Sequence, residues 1–522
     1  MAVLYTEHNR KSGPAPGGPG CRNVKNSDVE ANMVHSLYQS LNNLETIYAD
    51  RIGIRYYDEA KGGVVEVPFR QYAADLRRFV AFLRSRTPNP LGQRVAILAR
   101  NSYHYVMCMY GAVLAGAVAV PLNTGKNWDE IRYELDLVEP VCVLHDGEYL
   151  SREPALGQEY GDRLVPMDAF TAFEPAMEIT EVPDLNAMAF IMFTSGTTGR
   201  SKAVMLSERN FFTTVECQVK FGDAMLDYKH EHMPEDKNDV LSNFAILPLF
   251  HLGTFICLFV WACKGWALNL SADIRDFYRD LGLMHSDAIA VAPMLMEAIY
   301  KDVKRGRRAR LNGIWNPCGS SAMFDGAMLA ELARQGMMIT QVYGMTETCG
   351  DGIINYEQDE KHIRAVGKPD DHAEYKLDET GEICIRGGCV MLGYYKDPEA
   401  TAEVLDADGW FHTGDLARVD EDGFYYITGR KKNIIILDNG ENVSPEELEN
   451  LLSKCEAVKE CIVREKGKKI CAVIYCSEAD QQTVRDFITE TNRTLPLYKR
   501  MSAVEFSTEP LPRTGTGKLL RK

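Results

Sequence analysis

From residue 90 onward the hydrophobic positions fall into two alternating rhythms. Short unbroken apolar runs (RVAILAR, PVCVLHD, MAFIMFTS, AIAVAP and MMITQVYG) are rich in branched residues and read as buried strands. Between them lie stretches with helical spacing, NSYHYVMCMYGAVLAGA, LMEAIYKDVKR and FDGAMLAELARQG, the last closed by Gly336, where a helix should stop. Strands that alternate with helices of this length predict βαβ units and sheets covered on both faces. The expected fold class is therefore α/β, with a large N-terminal domain of mainly parallel sheets flanked by helices. No short-period repeat interrupts the pattern, which excludes a solenoid.

Near residue 381 the rhythm changes. GEICIRG, WFHTGDLARVD and GFYYITGR are short runs with Asp408-Gly409 and Asp422-Gly423 as turns, the signature of a small antiparallel β region. Beyond it the order is helix (SPEELENLL), strand (KECIVREK), strand (KKICAVIYC), helix (QTVRDFITETNR) and strand (AVEFS), which predicts a compact α+β unit. The expected division is a loose Pro/Gly-containing tail over 1–30, a large domain over 31–430 and a small mobile C-terminal domain over 431–522. The charged tripeptide Arg430-Lys431-Lys432 is the expected hinge between the last two.

Composition narrows the function. The 522 residues include 45% hydrophobic and 25% charged positions, an ordinary globular balance. Lys+Arg 58 against Asp+Glu 74 leaves a formal charge of −16, which argues against nucleic acid as a partner, since phosphate-backbone affinity needs clustered positive charge. The basic run Lys304 to Arg310 reads as a solvated helix end or a grip on a phosphate of a second substrate. The runs TFICLFVWAC and GAVLAGAVAVPL fall well short of the ~20 residues a membrane-spanning helix needs and are expected in the core. Fourteen cysteines without a C-x-x-C pair, and no apolar leader, point to reduced thiols in the cytoplasm.

The candidate chemistry sits in loops that follow the predicted strands. FTSGTTGRSK places Ser195 to Gly199 directly behind MAFIMF, offering backbone N–H groups and short hydroxyls to the oxygens of a phosphate. It lacks the G-x-x-x-x-G-K-[ST] pattern of the usual phosphate loop, and by itself is equally a ligand-free hairpin. NPCGSSA and QVYGMTET also end strands with small residues, and loops at the carboxyl ends of parallel strands line ligand crevices. Tyr343 could stack on a base, Thr346 could bond a phosphate and Glu347 could hold Mg²⁺. Each alone is also an ordinary core tyrosine or turn residue. Asp415 in HTGDL could accept from a ribose diol beside Arg430, or merely cap its turn.

Together, FTSGTTGRSKAV, YGMTE, WFHTGDLARVDEDGFYYITGRKKNIII and PRTGTGK, in this order and spacing over about residues 45 to 522, resemble the adenylate-forming superfamily. That superfamily includes acyl-CoA synthetases, adenylation domains of nonribosomal peptide synthetases and luciferases. The resemblance implies that Thr194, Ser195, Gly196, Thr197, Thr198, Gly199 and Lys202 wrap the β- and γ-phosphates of ATP. It also implies that Gly319, Ser320 and Ser321 line the adenine with Tyr343, that Thr346 meets the α-phosphate, and that Glu347 binds Mg²⁺. By the same resemblance Asp415 and Arg430 hold the ribose, Lys518 is the catalytic lysine and Lys432 the hinge.

The implied reaction joins a carboxylate to the α-phosphorus of ATP, releasing pyrophosphate, and then passes the acyl group from AMP to a thiol. LPLFHLGTF resembles the segment bordering the acyl pocket. There His251 stands where amino-acid-activating relatives usually have an aspartate, which disfavours an α-amino acid. His251 reads either as a pocket residue or as a core histidine beside Pro248. With Phe250, Gly344 and Met345 it forms the expected substrate wall, for a fatty or aryl acid. Phe255 and Trp261 read as either pocket or core. The ending PRTGTGKLLRK favours CoA as acceptor. The alternative is a phosphopantetheine carrier protein, served by an adenylation domain cut from a longer chain. A kinase or hydrolase releasing ADP, and a non-catalytic nucleotide-binding module, are the readings of other kinds.

Overall fold

The computed structural model describes residues 34–194, 201–320, 324–350, 352–437, 442–467, 469–513 and 519–520. Ser195 to Gly199, Ser321 and Lys518 lie outside the described residues.

The chain enters through helix α1 (Leu37–Thr46), started by Ser36, whose hydroxyl accepts from the Gln39 N–H. A hairpin of β1 (Ile52–Asp58) and β2 (Gly63–Pro68) leads into α2 (Phe69–Arg86). Then β3 (Arg94–Leu98), α3 (Tyr103–Leu114), β4 (Val118–Pro121), α4 (Trp128–Val138), β5 (Cys142–His145) and β6 (Leu164–Pro166) follow the expected alternation. Next come β7 (Met188–Thr194), β8 (Lys202–Ser207) and α5 (Glu208–His232), a helix of 25 residues opened by a capping box between Ser207 and Asn210. The second half runs β9 (Ser242–Ala245), α6 (Leu252–Cys263), β10 (Ala267–Leu270), α7 (Phe277–Leu283), β11 (Ala288–Val291), α8 (Pro293–Lys304) and β12 (Asn316–Ser320). It continues through α9 (Gly326–Arg334), β13 (Thr340–Gly344) and β14 (Gly352–Asn355). Gly336, at φ +75°, takes the left-handed conformation that ends α9.

These strands form two large sheets. One has eight strands in the order β14-β13-β12-β11-β9-β10-β1-β2, parallel from β13 to β1 and antiparallel at both edges. The other has seven, ordered β17-β8-β7-β4-β3-β5-β6, with β17 (Gly393–Tyr394) and β8 antiparallel to their neighbours. The antiparallel β region holds β15 (Ala373–Leu377), β16 (Glu382–Gly387), β18 (Phe411–Val419) and β19 (Tyr425–Arg430), in the order β15-β16-β18-β19. The smaller C-terminal unit begins with the two-stranded ribbon β20 (Ile435–Ile436) and β21 (Asn442–Val443). It then sets α10 (Pro445–Leu452) and α11 (Gln481–Thr494) with β22 (Glu460–Lys466), β23 (Lys469–Tyr475) and β24 (Ala503–Ser507). The protein is thus an α/β chain of a large sheet-and-helix domain followed by a smaller one.

The main core explains where the apolar runs go. TFICLFVWAC is most of α6, apolar all round because other elements cover it on every side. Phe255 and Phe259 of α6 interlock with Tyr110 of α3, Phe190 of β7 and Phe211 of α5 at ring-centroid distances of 4.9 to 5.7 Å. Burying each such ring contributes roughly 2–3 kcal/mol. Phe255 and Trp261 therefore take the core reading. The run Lys304 to Arg310 takes the solvated one: Arg307 and Arg310 pair with buried Asp302, and Arg308 donates to the Gln335 carbonyl.

Candidate active site

The segment that ends β13 touches the antiparallel β region through Tyr343 and the β17 strand through Glu347. Register makes the first junction. Asp415 of β18 lies opposite Arg430 of β19, and the Arg430 Nε donates to Asp415 Oδ1 at 2.5 Å. Tyr343, at the end of β13, donates its hydroxyl to Asp415 Oδ2 at 3.0 Å. Asp415 is 4% exposed, so its charge is held by a guanidinium and a phenol rather than by water. Burial, and then the Asp415 charge, push the Tyr343 phenol far above its ordinary range, so it stays a donor.

The turn carrying Asp415 has its own support. The Thr413 hydroxyl donates to the Ile383 carbonyl at 2.8 Å and accepts from the Asp415 N–H at 3.0 Å. Glu382, buried in β16, accepts from the Gly414 N–H at 2.7 Å with one oxygen and from Lys431 Nζ at 2.7 Å with the other. That second bond raises the Lys431 pKa. Lys432 sits exposed in the single turn Lys431–Asn433 that leads to the smaller domain. Just beyond, the Ser444 hydroxyl donates to the Thr428 carbonyl at 2.7 Å. A Cβ on Gly429 would lie 2.3 Å from that hydroxyl, so the passage requires a glycine.

The second junction joins the β7–β8 hairpin to Glu347. Thr194 and Lys202 are register partners. Lys202 Nζ lies 4.5 Å from the centroid of the Tyr394 ring, and Tyr394 donates its hydroxyl to Glu347 Oε1 at 3.0 Å. The Glu347 backbone carbonyl accepts from the Met391 N–H at 2.9 Å. Glu347 is partly exposed, and its other carboxyl oxygen takes no hydrogen bond from a described residue. A hard carboxylate oxygen left open beside a lysine suits Mg²⁺ carried by a phosphate chain. Thr346 begins the same single turn, and its carbonyl accepts from the Cys349 N–H.

Gly319 and Ser320 end β12 next to β13, with Ser320 opposite Val342. Gly344, exposed, and Met345, half-buried, follow Tyr343. His251 begins α6 and is exposed, so it is not a core histidine. Its ring lies 4.6 Å from that of Phe250. The first turn of α6 packs on the loop after Glu347: a Cβ on Gly350 would lie 3.6 Å from the Gly253 nitrogen. His251 and Phe250 thus start the element that borders Met345 to Gly350.

Sequence reasoning passed over three side chains here. Tyr394 lies in β17, too short to carry a pattern. Glu382 looks like any strand carboxylate. Lys126, in the loop after β4, donates to Ser201 Oγ at 2.8 Å and to the fully buried Glu134, whose carboxyl burial pushes up. All three are defined by partners distant in the chain, and no local signal marks them.

Comparison with known proteins agrees with this architecture. The AMP-binding enzyme family matches residues 48–395, and its AMP-binding enzyme C-terminal domain matches residues 447–518. The chain belongs to the AMP-binding enzyme family. Among curated relatives, a long-chain-fatty-acid–CoA ligase of Salmonella typhimurium is 28% identical, covering 95% of this chain and 96% of its own. A feruloyl-CoA synthase of an Amycolatopsis species is 29% identical, covering 88% and 93%. The O-succinylbenzoate coenzyme A synthetase of Bacillus subtilis, solved in complex with ATP and magnesium ion, superimposes with a TM-score of 0.75. It is 25% identical and covers 92% of this chain and 98% of its own. Among the described residues, no helix is long and apolar enough to cross a membrane.

Proposed function

We propose that the chain is an AMP-forming acid–CoA ligase, which joins a carboxylic acid to AMP at the expense of ATP and passes the acyl group to the CoA thiol. The observation that carries this reading is that the end of β13 and the turn after it join two clusters, Tyr343 meeting Asp415 and Arg430 on one side and Glu347 meeting Tyr394 and Lys202 on the other. Its relatives are named for CoA-ligase reactions, which supports CoA as the acceptor.

In this reading Asp415, paired with Arg430 and oriented by Tyr343, accepts from the ribose hydroxyls. Gly319, Ser320 and Ser321 line the adenine together with the Tyr343 ring. Thr194, Lys202 and the loop Ser195 to Gly199 hold the β- and γ-phosphates, and Thr346 meets the α-phosphate. Bound Mg²⁺ supplies charge neutralisation on the phosphate oxygens, with Glu347 as its protein ligand. Attack of the acid's carboxylate on the α-phosphorus forms the acyl–O–P bond, breaks the bond to pyrophosphate and concentrates negative charge on the oxygens between. Lys518 places an ammonium against that charge, an interaction stronger in the transition state than in the ground state. Phe250, His251, Gly344 and Met345 wall the acid. The thiol then attacks the acyl carbon and AMP departs with its oxygen, a step that needs no Lys518.

Rotation of the smaller domain, taken as 431–522, about Lys432 exchanges the two steps on one site, with the large domain taken as 31–430. A cytoplasmic location is supported by thirteen described cysteines, none in a disulfide. Incubation with ATP, Mg²⁺ and a panel of acids should give acid-dependent exchange of labelled pyrophosphate into ATP, with AMP as product once CoA is added. ADP as product, or exchange driven only by amino acids, would sink the reading.

A further inference from the structure

The antiparallel β region gathers a set of ligating groups that the nucleotide site does not use. Register brings Cys384 of β16 beside His412 of β18, and Cys384 Sγ lies 3.5 Å from His412 Nδ1. Asp378, in the turn before β16, joins them: one ligand atom from each of the three lies within 4.8 Å of the others. That turn is well fixed. Asp378 Oδ1 accepts from the Thr380 N–H, the Thr380 hydroxyl and the Glu382 N–H at 2.7 to 2.9 Å, while Oδ2 faces Lys431 Nζ at 3.6 Å.

The spacing and the surroundings suit a tetrahedral ion. Zn–S of about 2.3 Å and Zn–N of about 2.0–2.1 Å at the tetrahedral angle put sulfur and nitrogen about 3.6 Å apart, close to the separation of Cys384 and His412. The other ring nitrogen of His412, Nε2, faces Asp406 Oδ2 at 3.7 Å, and a metal-bound imidazole usually has a carboxylate on that side. Cys384 is fully buried whereas the His412 side chain is 34% exposed, so an ion has a route from solvent to the sulfur. Negative charge is in excess. Lys431 answers both Glu382 and Asp378, and Glu382 Oε2 also lies 3.6 Å from His412 Nδ1. Lys376, opposite Cys384 across β15, sits instead over the Trp410 ring, 3.9 Å from its centroid.

We propose that Asp378, Cys384 and His412 form a Zn²⁺ site, with water as fourth ligand, and that filling it takes Asp378 from Lys431 and loosens the turn Lys431–Asn433 that leads to the smaller domain. The Cys384 proton passes to solvent as the S–Zn bond forms. Sulfur and imidazole select Zn²⁺, whereas Mg²⁺ keeps to oxygen ligands, so this site is separate from Glu347 and its metal. The assignment goes beyond the ligase reading and does not depend on it.

Co²⁺ serves as the probe for binding, because a Co²⁺–thiolate bond gives a charge-transfer band in the near ultraviolet and Zn²⁺ displaces it. Titrated into the chain with Mg²⁺ present, Co²⁺ should give that band and Zn²⁺ should abolish it. Cys384→Val should remove the band, and His412→Gln, a change at a part-exposed side chain, should weaken binding by about 10²-fold. Lys431→Met, which takes a positive charge from beside the ion, should tighten it by about tenfold. Hydrogen exchange of the Lys431 to Asn433 amides should rise about fivefold or more on adding Zn²⁺ to the wild-type chain, and not in Cys384→Val. No band in the wild-type chain, or a band that both Cys384→Val and His412→Gln retain, overturns the site. Binding that Lys431→Met leaves unchanged, or exchange at 431–433 that Zn²⁺ does not alter, overturns its link to the turn.

Discussion

Asp415 and Glu208 are both carboxylates with less than 5% of their surface exposed, yet the chain treats them in opposite ways. Asp415 faces a guanidinium and a phenol that together claim both of its oxygens, at the rim where the strand ends gather. Glu208 opens α5 and accepts the Leu37 backbone N–H at 2.5 Å, tying α1 to α5. Burial, against the bond from Leu37 and with a small contribution from the Glu181 charge, pushes the Glu208 carboxyl up to about 7. A buried carboxylate beside a cation keeps its charge and can work on a ligand. One that meets a backbone amide instead favours its proton and works as a seam.

The comparison breaks most sharply at Asp415. Asp415→Asn takes from the Arg430 guanidinium, itself 39% exposed, its counter-charge, and takes from the ribose site a charged acceptor whose hydrogen bonds are worth about 1.5–3 kcal/mol each. The expected result is a fall of about 10²-fold or more in kcat/KM for ATP, whereas Glu208→Gln should leave that quantity as it was. Equal losses in the two variants, measured by steady-state kinetics with ATP varied, would end the distinction.

The next largest effect is in stability. The folded pKa of Glu208, about 7, lies above its ordinary value of 4.5, so the folded state binds the proton more tightly. The stability contributed by that proton is present in full below pH 4.5 and is lost as the pH rises through 7. Its size is about 3 kcal/mol. Glu208→Gln, which keeps the acceptor for Leu37 and has no charge to lose, should flatten this slope. It should therefore melt higher than the wild-type chain at pH 8 and about equally at pH 4.5. Melting curves of both proteins across that range decide it, and parallel slopes would refute the seam.

How much of this could be read from the residues follows the same division. The βαβ alternation from residue 90, the antiparallel region and the smaller domain were legible because each rests on local periodicity and turn residues. The place of the first hairpin in the sheet was not: β1 and β2 pair locally, but β1 joins the rest through β10, some 200 residues on, and no local pattern encodes that pairing. Asp415 with Arg430 was legible as a motif, and strand register explains its geometry. Tyr394 and Lys126 were not, because a lone tyrosine in a two-residue strand and a lone loop lysine acquire meaning only from Glu347 and Ser201 across the fold. Glu208 was invisible for the same reason, since nothing in SERNF announces a carboxyl that will be sealed under α1.

Tyr343 sharpens the Asp415 side of the comparison. Tyr343→Phe keeps the ring but removes a hydrogen bond to a charged acceptor, worth about 1.5–3 kcal/mol. The expected outcome is roughly a tenfold rise in KM for ATP, smaller than for Asp415→Asn because Arg430 still holds the carboxylate. An equal loss in both would mean that the phenol, not the guanidinium, fixes Asp415.

The smallest effect is expected at Tyr394, and it separates two contributions that meet on one side chain. Its ring lies under the Lys202 ammonium at 4.5 Å, and its hydroxyl donates to Glu347 at 3.0 Å. Tyr394→Phe removes the second and keeps the first. A net hydrogen bond of about 1 kcal/mol corresponds to roughly a fivefold change. That change should appear in the Mg²⁺ concentration giving half-maximal pyrophosphate exchange, because the freed Glu347 carboxylate is no longer held in one orientation. KM for ATP should move less, since Lys202 keeps its aromatic partner. Tyr394→Leu removes both contributions and should raise both quantities. If Tyr394→Phe leaves the Mg²⁺ dependence untouched, then Glu347 needs no help in facing the metal, and the open carboxyl oxygen beside Lys202 is by itself a sufficient ligand.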